Sequence, residues 1–409
     1  MSRSGPAEPR VTLLVAALAI VLFSASWGAL HTGFYTRDQI VDTPVYQRYG
    51  DAMARGQVPY RDFGLEYPPG ALPVFVLPAL GHHDESQFAS FRRSFEWLMW
   101  GCGVAMLVAM AFALHALAAS ERRTVGALLF ASLAPLALGS VVLSRFDLWP
   151  AAIVAAALAA IVSGRLRLGH GLLGLGVAAK VYPAVLVPLA LAHVWRRRGR
   201  REAMICLGVL LAAVAVVLGP FLALAPGGVW SSVVRQTTRP LQIESLGAAV
   251  LIALHHVAGL AATMRSGHGS QNLVGTGPDV IGSLQTVLQV AALVAIWALY
   301  ARGRGGREEL VRACAAAAVA FVALGKVFSP QFLIWLVPLV PLVRGRRGLW
   351  ASGLFFVAMV LTQLWFPFRY WAYALQFDPT ASWLVLVRDL VMLALLFTLA
   401  LPEREGARS

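Results

Sequence analysis

Charge is scarce in this chain, and lysine is almost missing from it. Only 13% of the 409 residues are charged, while 58% are hydrophobic; a soluble domain carries about 25% and 45–50%. Mean hydropathy is +0.70. So much apolar surface has no place in water, which excludes soluble multidomain, disordered and collagen-like chains. Cysteine is also sparse. Cys102, Cys206 and Cys314 each sit alone inside an apolar run, which excludes a CxxC metal or redox site and a disulfide scaffold. P-loop, HExxH and GxSxG patterns are missing as well, and with them the usual marks of ATP-driven transport and hydrolase chemistry. What remains is a multi-pass membrane protein.

The net charge of +14 suggests nucleic acid, but the placement of the arginines does not. They fall in short clusters between apolar runs: Arg3 and Arg10, Arg122–Arg123, Arg165 and Arg167, Arg196 to Arg201, Arg302 to Arg307, Arg344 to Arg347, Arg404 and Arg408. Such clusters mark cytoplasmic loops. A nucleic-acid face would need a folded domain presenting basic and aromatic groups together, so no nucleic-acid partner is expected. Placing every cluster inside gives cytoplasmic tails at 1–10 and 402–409 around one transmembrane domain, 11–401, in the plasma membrane.

A span needs about 20 apolar residues. Residues 11–30, 95–119, 125–143, 148–163, 203–225, 279–300, 310–326, 348–366 and 382–401 qualify. The first run imitates a signal peptide, with Arg10 before it and Ser24-Ala25-Ser26 inside it, but its length favours an uncleaved anchor. Stretches 68–80, 172–179 with 183–195, and 332–343 are too short to cross alone and read as broken helices lining a cavity. The expected fold is an all-α polytopic bundle of about 11–13 transmembrane helices. Its site is formed by outer-face loops, above all the first, 31–66, and the large one, 226–278.

Polar chemistry gathers in those outer turns. Five of the chain's 20 acidic residues, Asp38, Asp42, Asp51, Asp62 and Glu66, fall within the first loop, among Tyr46, Tyr49, Tyr60 and Tyr67. A partly desolvated carboxylate at a lipid–water boundary suits general-base work; a solvated loop is the plainer reading. The two lysines, Lys180 and Lys326, stand among 32 arginines, each opening a Pro-containing apolar stretch. A compact ammonium there fits a phosphate, or it snorkels to the interface. Arg235 and Arg239 form a pair able to clamp an anionic headgroup. Arg145-Phe146-Asp147 reads as a local ion pair or, more simply, as the cap of the next helix. Gly169-His170-Gly171-Leu172-Leu173-Gly174 matches GxGxxG only literally, since no strand precedes it. His255-His256 and His268 lack metal-ligand spacing, and no metal is expected.

Asp42-Thr43-Pro44-Val45-Tyr46, then Gly56-Gln57-Val58-Pro59-Tyr60 and Tyr67-Pro68-Pro69, resembles the first-loop pattern of glycosyltransferase family 87. Lys180-Val181-Tyr182-Pro183, Arg239 to Ser245 and Phe328 to Trp335 are similar to further segments of that family. The resemblance implies a GT-C fold with its site at the outer face. It implies an inverting transfer of a sugar, in actinobacterial members mannose, from a polyprenyl-phosphate donor, without divalent metal, nucleotide sugar or cofactor. It places Asp42 as the general base, with Glu66, Asp62 and Asp51 as alternative or orienting carboxylates. Lys180, Lys326, Arg235 and Arg239 would meet the donor phosphate. Tyr46, Tyr60, Tyr67, Glu244, His255 and Gln331 would line the sugar or a lipid or cell-envelope glycan acceptor. A transporter or flippase of a lipid-linked sugar is the rival, disfavoured because the acidic groups crowd one face.

Overall fold

Long runs of alanine, leucine and valine in lipid leave the backbone no partner but itself, and it closes into helices. The computed structural model describes residues 7–80 and 87–401; the tail 402–409 and the first six residues of the N-terminal tail lie outside the described residues. The helices are α1 (Pro9–Ala29), α2 (Thr43–Ala54), α3 (Pro73–Ala79), α4 (Phe88–Ala116), α5 (Glu121–Leu138), α6 (Val141–Ser144), α7 (Leu148–Val162) and α8 (Leu166–Ala179). The second half adds α9 (Val187–Leu224), α10 (Pro226–Thr237), α11 (Leu246–Ala258), α12 (Thr276–Arg302), α13 (Arg307–Ala323), α14 (Gly345–Trp365), α15 (Tyr370–Gln376) and α16 (Pro379–Ala400).

Among the described residues, six helical segments are long and apolar enough to cross a membrane: α1, α4, Tyr182–Leu224, α12, α14 and α16. Shorter apolar segments accompany them, among them Pro69–Ala79, Leu166–Ala179 and Pro330–Leu342, where the sequence marks broken helices. α13 is a core helix, with Ala315, Ala316 and Ala317 wholly buried. α9 would run about 57 Å if straight, nearly twice a hydrocarbon core. Gly199, at φ +84° within the Arg196–Arg201 cluster, breaks it in two; a residue without Cβ takes that left-handed geometry at little cost.

The two ends of the bundle differ in chemistry. At one, the basic clusters meet one another: Arg123 pairs with Glu308 and donates to the Leu342 carbonyl, Arg307 donates to the Ala116 carbonyl, and Arg196 to that of Ala301. Arg167 holds Glu202 through two bonds of 2.8 and 2.9 Å. The first loop lies at the other end. There His31 meets Glu96 at 3.0 Å and Arg92 reaches Gln39 at 3.1 Å, so α4 starts beside that loop and returns to the basic end. α3 packs on α2, with Phe75 and Ala79 against Gly50.

The large loop carries a small antiparallel sheet of β1 (Leu241–Gln242), β2 (Met264–Gly267) and β3 (Ser270–Leu273), in the order β1-β3-β2. His268 and Gly269, both at positive φ, make the tight turn between β2 and β3.

Gly70 lets the Tyr67-Pro68-Pro69 segment lie directly on the end of α8. A Cβ there would come within 2.6 Å of the Ala178 carbonyl, and the Gly70 oxygen also accepts the Trp149 indole N–H at 3.0 Å. Gly70→Ala is expected to destabilise the protein by about 1–3 kcal/mol through overpacking, read as a lower unfolding midpoint in detergent. A parental midpoint would contradict that contact.

Candidate active site

Thr43-Pro44 starts α2, because proline is preset for the first helical turn. Asp42 therefore takes the N-cap position, and its carbonyl accepts the N–H groups of Val45 and Tyr46. Its side chain makes no cap bond and is free to reach outward. It does so towards Arg145, in the bend between α6 and α7, and the two form an ion pair. Arg145 is buried, whereas the Asp42 side chain keeps 34% exposure. The Tyr46 hydroxyl donates weakly to Asp42 Oδ2 at 3.5 Å. Behind them Tyr46, Tyr67, Phe75 and Phe146 pack ring on ring, with centroids 4.7–5.9 Å apart.

Asp147 holds the N-cap position of α7 but makes no cap bond either, and it does not pair with Arg145. The reading of Arg145-Phe146-Asp147 as a local pair or cap is thereby corrected. Each charge finds a stronger, distant partner. Asp147 Oδ1 accepts from Lys180 Nζ and from the Trp335 indole, both at 2.5 Å. The Lys180 ammonium lies over Phe146 and Trp335, at 4.4 and 5.0 Å from the ring centroids, and Tyr182 stacks on Trp335 at 4.3 Å. Burial pulls the Lys180 pKa down, and Asp147 opposes that pull.

The second wall comes from the large loop. Arg239 is half-buried, with Glu66, Tyr67 and Glu244 as its electrostatic neighbours, and burial lowers its pKa. Lys326 donates to the Thr237 carbonyl at 3.1 Å; burial, then Arg239, lowers its pKa. Arg235 is exposed, with its guanidinium over Gly64. Glu66 lies beside Gly269, and its carbonyl accepts from Gln236. Glu244 is 2% exposed and bonded by the Gln242 amide. Burial pushes its carboxyl up to about 8 against the attraction of Arg388, Arg145 and Arg239.

The remaining expected residues fall into place with less chemistry. Asp62 is exposed and spent on its own turn, bonded by Arg61 and the Val58 N–H, and the Arg61 bond first holds its carboxyl down at about 2. Asp51 is buried in α2, about 13 Å along the axis from Asp42 at 1.5 Å per residue. Tyr60 ties the loop by donating to the Tyr67 carbonyl at 2.5 Å. Gln331 is half-buried beside Ser329, which bonds Gln242. His255 sits far along α11, where its Nδ1 meets the Leu260 carbonyl at 2.7 Å, apart from the cluster. Tyr370 of α15, absent from the expected set, lies within electrostatic reach of Glu244, Arg145 and Asp42.

Glu244 gives a pH signature. Its folded pKa stands above the ordinary 4.5, so the folded chain holds a proton that the unfolded chain releases. Stability from this group is complete below about pH 4.5 and is lost as pH rises towards 8. Unfolding midpoints should fall over that window, and Glu244→Gln should flatten that part of the curve. An unchanged slope in the variant would contradict the buried, neutral carboxyl.

A helical membrane bundle with one basic end, and at the other a half-open carboxylate among buried cations, has the build of an enzyme working at the lipid–water boundary. The family model of glycosyltransferase family 87 matches residues 65–330, well over half of the chain. The chain belongs to that family and is a membrane glycosyltransferase built as a helical bundle. A mannosyltransferase (PIG-M) model also matches residues 272–401. Among solved structures, the crystal structure of ArnT from Cupriavidus metallidurans bound to undecaprenyl phosphate is similar over 96% of this chain and 77% of its own. The identity is 14% and the TM-score 0.48. A comparison with curated proteins finds no significant match.

Proposed function

We propose that this glycosyltransferase moves mannose from a polyprenyl-phosphate donor to a lipid or cell-envelope glycan acceptor, at the outer face of the plasma membrane, with inversion. The observation that carries this reading is Asp42, a carboxylate one-third exposed at the mouth of an otherwise buried charge cluster. The acceptor hydroxyl gives its proton to Asp42 as its oxygen attacks the anomeric carbon. The bond from that carbon to the phosphate oxygen breaks, and its electron pair leaves with the phosphate. That leaving group gains a negative charge and needs cations rather than an acid. Arg239, Lys326 and Arg235 line the same end, whereas the Lys180 ammonium is already taken by Asp147. The PIG-M match supports mannose as the sugar.

Incubation of the purified protein with radiolabelled polyprenyl-phospho-mannose and a membrane lipid extract tests the reading directly. Label is expected in a new lipid or glycan species, and its retention on the donor would refute the donor assignment. Sidedness has its own test. Gly267 has open space around it and Arg302 is exposed, whereas the native cysteines are buried. Gly267→Cys should react with an impermeant thiol reagent on intact cells and Arg302→Cys should not. The opposite pattern would invert the topology.

A further inference from the structure

Arg145 is 6% exposed, and the ion pair placed on it is with Asp42. Asp147, two residues further on, is already taken by Lys180 and Trp335. The buried Arg145 Nε has no hydrogen-bond partner among the described residues. A guanidinium offers five donors in a planar fork that matches a carboxylate or a phosphate equally well. Buried donors left unmet are costly, so this fork suits an anion richer in oxygen than the one it holds. Asp42 has the complementary difficulty. Oδ1 is held by Arg145, and Oδ2 is met only weakly by the Tyr46 hydroxyl at 3.5 Å, so the cation draws on the charge that would make this carboxylate a base.

We propose that Arg145 is a ligand of the donor phosphate and that Asp42 occupies its place in the resting enzyme. An arriving phosphate takes the Arg145 fork, and Asp42, released, turns Oδ1 to the acceptor hydroxyl while Tyr46 keeps hold of Oδ2. The base is thus released from its cation only when a donor is present, and water entering the empty site meets a carboxylate still paired with Arg145. This inference rests on the reading of Asp42 as the base and of a polyprenyl phosphate as the leaving group.

Exchange on one guanidinium makes Asp42 a competitor of the phosphate, and linkage gives this a measurable sign. The probe is a short-chain polyprenyl phosphate in detergent micelles, with the matching polyprenol as the phosphate-free control. Asp42→Asn should bind the polyprenyl phosphate more tightly, by about tenfold, within the 5–150-fold range of such couplings, and polyprenol unchanged. Arg145→Met should bind the phosphate more weakly, and adding Asp42→Asn to it should give no gain. Arg145→Lys should recover part of the binding. Should Arg145→Met fail to fold, Asp42→Asn alone still decides. Unchanged or weaker phosphate binding by Asp42→Asn overturns the exchange while leaving the glycosyl-transfer reading intact. Absence of polyprenyl phosphate binding by the parent protein overturns both.

Discussion

Asp42→Asn is expected to lower turnover by about 10²–10⁴-fold, the range that a positioned general base contributes. The substitution is nearly isosteric, and the helix start does not depend on it, because the Asp42 side chain caps nothing while its carbonyl does the bonding. The start of α2 should therefore survive, but the buried Arg145 loses its counter-charge, so the unfolding midpoint should fall while the chain still folds. The other carboxylates provide the contrast. Asp62 is exposed and held by Arg61 and Val58, so Asp62→Asn should leave most activity in place. Asp51 is buried in α2 well away from Asp42, and Asp51→Asn should act on stability before rate. Glu66 is the serious rival, since it neighbours Arg239 and Gly269. Single-turnover rates with a labelled donor separate the two. Loss of activity in Glu66→Gln, with Asp42→Asn near the parental rate, would move the base to Glu66.

Lys180→Met should be the most destabilising change at the site, costing about 3–5 kcal/mol, as removing one partner of a buried pair does. Asp147 has 1% side-chain exposure and Lys180 15%, so methionine would fill the ammonium's space but leave a carboxylate stranded among Phe146, Tyr182 and Trp335. Lys180→Met combined with Asp147→Asn should regain part of the loss, because no uncompensated charge then remains. Chemical denaturation in detergent reads both values. A mild effect of Lys180→Met alone would mean that Asp147 is better solvated than its burial indicates. Lys180→Arg keeps the charge, but its larger planar head must fit a cage built around an ammonium. An intermediate loss is expected there.

Much of this arrangement could be read from sequence because lipid imposes simple rules. Apolar runs placed most helices within a few residues, as with 148–163 against Leu148–Val162 and 382–401 against Pro379–Ala400. The arginine clusters marked the end where Arg123, Glu308, Arg196 and Arg167 now meet. The site was legible only as a set of polar loops. That Arg145 would choose Asp42, about a hundred residues upstream, over Asp147 next door is a fact of packing, to which local spacing is blind. Arg145 carried a signal all the same, since it belongs to none of the regularly spaced clusters. Arg388-Asp389 carried a stronger one, a charged pair in the middle of a spanning helix. The two bond to each other at 2.8 Å, and Arg388 also donates to the Glu244 carbonyl at 2.7 Å, fastening the large loop to the bundle. Tyr370 had no such mark, because a tyrosine in an aromatic-rich turn is ordinary.

Asp147 and the two groups that share it, Lys180 and Trp335, are made at different times. Asp147 and Lys180 are 33 residues apart, on either side of the α7–α8 hairpin, so they emerge together and can neutralise each other before the hairpin leaves the insertion machinery. Trp335 is made 188 residues after Asp147. The early hairpin thus carries its own counter-ion, while the second donor to Asp147 arrives only when the last third of the chain is being synthesised. A truncation ending between α8 and Trp335 would keep the salt bridge and lack the indole, giving an inserted chain with an unfinished site. The Asp147 cluster is thus complete only once Trp335 has been made.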